Sequence, residues 1–256
     1  MIDKKKIVIK VGSNTISDKH GFVNEDFIAN LCKEVAVLKQ EGKEVIIVSS
    51  GAKIAGISAI GKWSRKSDIH YKQALCAIGQ VRLLGSYEKF FSKYGINIGQ
   101  ILLTRDDFFV DNRVLNIRNT LFTLIDEGVV PIINENDTVC VQELQIGDND
   151  TLAAYMARLW NADTLIILSD IDGLYDKNPK QHKDAKLLQT VTDVNSIMRS
   201  IEIGETNEFG TGGIQTKLEA AKICNDYEIE MILANGKTEN VLTKIYNNEI
   251  EYTKFC

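Results

Sequence analysis

At 256 residues with 44% hydrophobic content, the chain can bury a sizeable core, which excludes a disordered segment or a small stapled module. A formal net charge of -5 provides no global basic field, so nucleic acid is excluded as a partner in favour of small anions gathered by local lysines. Five scattered cysteines without a CxxC pair, three histidines and no membrane-length apolar run argue against a metal module or a bilayer protein; a soluble protein in the reducing cytoplasm is expected.

The chain opens with a β-branched run at 7–11 (IVIKV), followed by helical spacing of apolar residues from Glu25 to Gln40 and a second run at 45–50 (VIIVSS). A helix over Tyr71 to Tyr94 precedes a strand at 98–104, and a helix over Leu115 to Glu127 precedes one at 129–134. Then come a helix over Thr151 to Trp160, a strand at 164–170, a helix over Thr216 to Asn225 and a last strand at 229–235. Such alternation predicts an α/β protein, a three-layer αβα sandwich with a mostly parallel central sheet. With two prolines, no linker and no repeat, one domain over 1–256 is expected, in two lobes of roughly 1–160 and 161–256.

Ligands of open α/β sheets sit at the carboxyl ends of the strands, and here those ends are polar. The first strand leads into Lys10-Val11-Gly12-Ser13-Asn14, the second into Ser49-Ser50-Gly51-Ala52, the fourth into Asn134-Glu135-Asn136-Asp137, and the next into Ser169-Asp170. Each reads alone as turn chemistry; several on one edge read as an anion site. Asp148, Asn149 and Asp150 directly precede a helix, so one of them is expected to cap it. Three acidic or amide groups exceed what a cap needs, and Lys10 and Lys217 are natural cationic partners. GTGGIQTK (210–217) is not a P-loop: no strand precedes it, Thr216 stands before Lys217, and Leu218 follows. Asp170-Ile171-Asp172-Gly173 lacks the spacing of a calcium loop, and no metal-ligand set is expected.

VIKVGSN, VSSGAKIAG, KQALCAIGQVRL, INENDTV, IGDNDTL, LSDIDGLY and GTGGIQTK follow one another from the first strand to the last. In this order and spacing the chain resembles the amino acid kinase family, and within it the members that phosphorylate glutamate to open proline biosynthesis. INEND and GDND are the most specific of these motifs. Ser13-Asn14 departs from the Thr-Ser of better-known members, and the chain stops where many members append a PUA domain, so none is expected.

The resemblance implies the amino acid kinase fold and ATP-dependent phosphorylation of the L-glutamate γ-carboxylate. Mg²⁺ would enter with ATP, held largely by phosphate oxygens and water. A side-chain carboxylate with a pKa of about 4.3 is already ionised at neutral pH, so no general base is required. Carried over residue by residue, Lys10, Lys217 and Asp150 are the expected catalytic set, with Asp150 orienting both ammonium groups. Ser50, Gly51, Asn134, Asp137 and Asn149 would hold the amino acid, Asp137 by pairing with a free α-ammonium. Lys10, Gly12, Ser169, Asp170, Gly173, Tyr175, Thr211, Gly212, Gly213, Ile214, Gln215, Thr216 and Lys217 would surround the nucleotide. Proline is implied as a feedback inhibitor, acting around Asp107 and the 117–143 stretch that includes Glu143. Transfer of the unstable product to a γ-glutamyl phosphate reductase and a homo-oligomer with a contact along Tyr71 to Tyr94 are also expected. The alternatives are a kinase of the same fold acting on N-acetylglutamate, aspartate, carbamate or UMP, or a non-catalytic amino acid sensor.

Overall fold

The computed structural model describes residues 5–61, 64, 65, 67–140, 149–177, 179, 181–204 and 213–256, with the backbone alone over 200–204. Its frame is an eight-stranded sheet: β1 (Lys6–Val11), β2 (Glu44–Ser49), β3 (Ile98–Leu103), β4 (Val130–Glu135), β5 (Thr164–Ser169), β6 (Thr190–Val191), β7 (Glu230–Asn235) and β8 (Thr253–Phe255). The strand order is β3-β4-β2-β1-β5-β7-β8-β6, and only the β7–β8 pair is antiparallel. Each of the six strands read from the sequence lies within one residue of its expected limits at either end.

Alternation along the strands sorts the side chains into two layers. Val8, Ile46, Val48, Ile133, Leu165 and Ile167 face one layer with α5 (Asp111–Asp126), α6 (Asp150–Trp160) and α8 (Gly213–Asp226). Ile7, Ile9, Ile47, Ile132 and Ile166 face the other, with α2 (Glu25–Gln40), α4 (Ile69–Phe91) and α9 (Val241–Asn247). Local signals set the helix limits. Asn24 accepts the Phe27 N–H at 3.1 Å to start α2, and Asp68 accepts the Tyr71 N–H at 3.1 Å to start α4.

Several elements escaped the sequence reading. Helix α3 (Ala52–Ile60) is apolar on most sides, and α7 (Val194–Gly204), α1 (Ser13–Ile16), β6 and β8 are short or lie in polar surroundings. Helix α3 crosses α4 in backbone contact: a Cβ on Gly79 would stand 1.7 Å from the Ala52 carbonyl oxygen, and one on Gly56 would stand 2.0 Å from that of Leu75. The two helices therefore act as one support under the end of β2. Among the described residues no helix is long and apolar enough to cross a membrane.

The order of strands reverses around β1, which has β2 on one side and β5 on the other. At such a reversal the crossover connections diverge and leave a crevice outside the carboxyl ends. The polar strand ends meet there.

Candidate active site

Lys10 follows Val8 by two residues on β1, so its side chain falls on the face that α6 and α8 cover. Its Nζ lies 2.5 Å from Asp150 Oδ1, and Lys217 Nζ lies 2.9 Å from Asp150 Oδ2. Lys217 also donates to the Gly213 carbonyl at 3.1 Å, and the Thr216 hydroxyl is 3.3 Å from Asp150 Oδ2. All three charged residues are buried, with Asp150 fully inaccessible. Asp150 is the first residue of α6, where the helix dipole favours a carboxylate. Two ammonium groups on one carboxylate sum to a single positive charge in a low-dielectric setting, an arrangement suited to a multiply charged anion.

Asn149 stands at the N-cap position, yet its side chain makes no capping bond. The Asn149 side chain is used elsewhere: its Nδ2 donates to Ser50 Oγ at 3.0 Å and to Asn134 Oδ1 at 2.8 Å, tying β2 and β4 to the start of α6. Asn134 in turn donates from Nδ2 to Gln80 Oε1 of α4 at 2.9 Å and accepts the Glu135 N–H at 2.8 Å. The Asn149 Oδ1 is buried with no hydrogen-bond partner among the described residues. Gly51 follows Ser50 with φ +108°, and a Cβ there would lie 2.7 Å from Ile16 Cγ2, so only glycine fits.

Asp137 sits in the turn after β4, where Gln73 of α4 donates to its carbonyl and to that of Thr138 at 3.2 and 3.1 Å. Burial pushes the Asp137 carboxyl up to about 6, opposed by the Cys76 thiol and the charge of Lys53. Burial, with Asp137 beside it, also drives the Cys76 thiol upward. Lys53, Gln73 and Gln80 were absent from the residues expected at the site. Gln73, Cys76 and Gln80 share one face of α4 by their i, i+3, i+7 spacing, a signal present within KQALCAIGQVRL.

On the other flank, Gly12 follows β1 at the sheet edge. Its N–H is donated to Leu168 O at 3.1 Å and so is not directed at a ligand; its Cα faces Lys10, whose Nζ would be 3.6 Å from a Cβ. Asn14 donates to Asp170 Oδ2 at 3.1 Å, linking the ends of β1 and β5, and Ser169 Oγ is 3.3 Å from Asp170 Oδ1. Gly173 packs on β8, where a Cβ would meet Thr253 Oγ1 at 2.5 Å, and the Tyr175 hydroxyl donates to Asp172 at 3.1 Å. Gly213 opens α8, Ile214 packs on the core, and Gln215 donates to Glu219 at 3.3 Å. Thr211, Gly212, Glu143 and Asp148 lie outside the described residues. No cluster of three metal-ligating side chains occurs among the described residues.

Residues 5–235 match the model of the amino acid kinase family. The chain is 64% identical over 255 residues to the glutamate 5-kinase of Alkaliphilus oremlandii, covering 100% of this chain and 97% of that protein. It is 47% identical over 250 residues to the glutamate 5-kinase of Caldanaerobacter subterraneus subsp. tengcongensis, covering 98% of this chain and 67% of that longer protein. Among solved structures, the UMP kinase of Bacillus anthracis superposes with a TM-score of 0.70 at 18% identity, covering 98% of this chain and 96% of the other. At that identity the likeness concerns the fold.

Proposed function

The chain belongs to the amino acid kinase family, and from that premise we propose that it transfers the γ-phosphoryl group of ATP to the γ-carboxylate of L-glutamate. The products are ADP and γ-glutamyl phosphate, at the entry to proline biosynthesis. The observation that carries this reading is Asp150 holding Lys10 and Lys217 beside the Ser50, Asn134 and Asn149 cluster.

The reaction brings two anions into contact, so positioning and charge neutralisation supply most of the catalysis. A γ-carboxylate oxygen attacks the terminal phosphorus as the bond to the bridging oxygen breaks and ADP departs. In this reading Lys10 and Lys217 bind the phosphoryl oxygens on either side of the transfer, and Asp150 keeps both ammonium groups aimed at the same point. Each Asp150 oxygen faces an ammonium, which makes it a lysine-orienting group rather than a metal ligand. Mg²⁺ would accordingly enter with the nucleotide and neutralise phosphate charge there, with no side chain of the described residues required to hold it.

Ser50, Asn149 and Asp137 take the α-carboxylate and α-ammonium of the amino acid; an acetylated nitrogen would leave Asp137 unpaired. The N-terminal half, roughly 1–160, thus serves the amino acid, while Ser169, Asp170 and the start of α8 in the second half serve the nucleotide. Proline inhibition, transfer to a reductase and self-association along α4 belong to the same proposal. An ADP-release assay with glutamate, N-acetylglutamate, aspartate, carbamate and UMP tests it. Turnover with glutamate alone is expected; preference for any other acceptor would overturn the assignment.

A further inference from the structure

Within KQALCAIGQVRL, burial accounts for Leu75, Cys76 and Leu83 and the close helix crossing accounts for Gly79, but neither accounts for the two glutamines. Gln73 and Gln80 lie seven residues apart on one face of α4, and both reach the segment 134–138. Gln73 holds main-chain carbonyls, a supporting task. Gln80 meets a side chain whose orientation has consequences.

Hydrogen-bond direction in this cluster is set from one end. The Glu135 main-chain N–H can only donate, so the atom of Asn134 that faces it at 2.8 Å must be the carbonyl oxygen. Asn134 Nδ2 then points at α4 and requires an acceptor, which Gln80 Oε1 supplies at 2.9 Å. The second lone pair of Asn134 Oδ1 is taken by Asn149 Nδ2, whose other hydrogen goes to Ser50 Oγ. Both amide hydrogens of Asn149 are thereby used, its Oδ1 is left as a buried acceptor, and Ser50 keeps its own proton to donate. Donor and acceptor stand next to each other, matching a ligand that carries a carboxylate beside an ammonium.

We propose that Gln80 is a positioning residue: by accepting from Asn134 Nδ2 it holds Asn134 in the orientation the Glu135 N–H dictates, so that Asn149 Oδ1 accepts from the α-ammonium and the Ser50 hydroxyl donates to the α-carboxylate. This deepens the glutamate reading and rests on it. An acceptor at position 80 satisfies Asn134 Nδ2 and leaves the chain of amides in place. A donor there opposes Asn134 Nδ2, and Asn134 cannot turn over without setting its amide against the Glu135 N–H, so its side chain is pushed aside and Asn149 loses the acceptor that orients it.

The test compares Gln80→Lys, which offers only donors, Gln80→Met, which offers no strong acceptor, and Gln80→Glu, which keeps one. Glutamate KM should rise about tenfold or more in Gln80→Lys, several-fold in Gln80→Met, and less than about threefold in Gln80→Glu, as expected for one hydrogen bond opposed, lost or retained. Because the α-groups are held equally in ground and transition states, kcat and the KM for ATP should stay within about threefold. Competition by glutarate, which lacks the α-amino group, should weaken far less than glutamate binding. Melting temperatures identify any variant that fails to fold, and the Met and Glu pair carries the comparison without Lys.

Wild-type turnover of glutamate decides the kinase assignment; the ratios among the variants decide the role of Gln80. A glutamate KM unchanged in Gln80→Lys, or a Gln80→Glu variant as impaired as Gln80→Met, would overturn it. So would a loss of glutarate competition as large as that of glutamate.

Discussion

Asn149 and Asp150 are joined by one peptide bond and serve two different kinds of site. Asp150 turns toward β1 and α8, into a buried group of full charges; Asn149 turns toward β2 and β4, into a chain of amides and a hydroxyl. The difference fits the chemistry proposed for each side. Where charge moves from one oxygen to another during the reaction, fixed ammonium groups in a dry setting stabilise it strongly. Where a ligand has only to be held and told apart from its relatives, directional neutral groups discriminate without a large desolvation cost. Substitutions on the two sides should therefore fail differently.

The largest effect should come from the charged side. Lys217→Met keeps the buried stem and removes the ammonium that pairs with Asp150. An ion pair at about 4 Å and an effective dielectric near 20 is worth roughly 4 kcal/mol, which sets an upper scale of about a thousandfold in rate. Steady-state kinetics should show kcat lowered by about 10² to 10³ with the glutamate KM nearly unchanged. Near-normal turnover would remove Lys217 from the transfer.

On the recognition side the expected failure is in KM. Asp137→Asn removes the charge proposed to meet the α-ammonium, a contact worth about 1.5 to 3 kcal/mol. Glutamate KM should rise roughly ten- to hundredfold while the KM for ATP stays close to normal. Equal losses for both substrates would mean that the turn after β4 supports the fold and not the amino acid.

This division was only partly legible in the sequence. Strand ends and a helix start marked Lys10, Asp150 and Lys217 as charged groups that would cost stability unless they met one another or a ligand; their reading as a catalytic set came from the resemblance to the amino acid kinase family. Asn149 was legible as a residue of interest, but a cap and a ligand group look alike in sequence; only the side-chain direction separates them. Gln80 and Gln73 were hidden for another reason. A glutamine on an amphipathic helix is ordinary at the surface, and its partner is more than fifty positions away. Helix α3 carries almost no amphipathic signal because it packs against α4 through backbone contact, so periodicity could not reveal it.

A ligand can also separate the two sides. Proline carries the α-carboxylate and α-ammonium of glutamate without a γ-carboxylate, so it can occupy the recognition side, Asp137 included, and offer nothing to the lysine side. If the ligands exclude each other, proline at ten times its own Kd should weaken apparent glutamate binding roughly tenfold while ATP binding is unaffected. Calorimetric titration with glutamate across a proline series measures this. A constant glutamate affinity in proline-saturated protein would place proline elsewhere.

The smallest expected effect is also the most specific, because it assigns a pH dependence to one carboxyl. Burial raises Asp137 from its ordinary value of 3.8 to about 6, with Cys76 and Lys53 opposing the rise. A raised carboxyl is held preferentially in its protonated form, so its contribution to stability is fully present below 3.8 and is lost as pH rises through about 6. Binding of an ammonium has the opposite requirement, since it needs the charged carboxylate. Glutamate affinity should therefore grow as pH rises through the same interval in which the ligand-free protein loses that stability. Between about pH 7.5 and 5.5 the apparent KM for glutamate should rise roughly fourfold, the ratio expected for one group titrating near 6. In Asp137→Asn that slope should vanish, and the gain in melting temperature from glutamate should cease to depend on pH. A variant that keeps the wild-type slope would assign the titration to another group and leave Asp137 without a charge-pairing role.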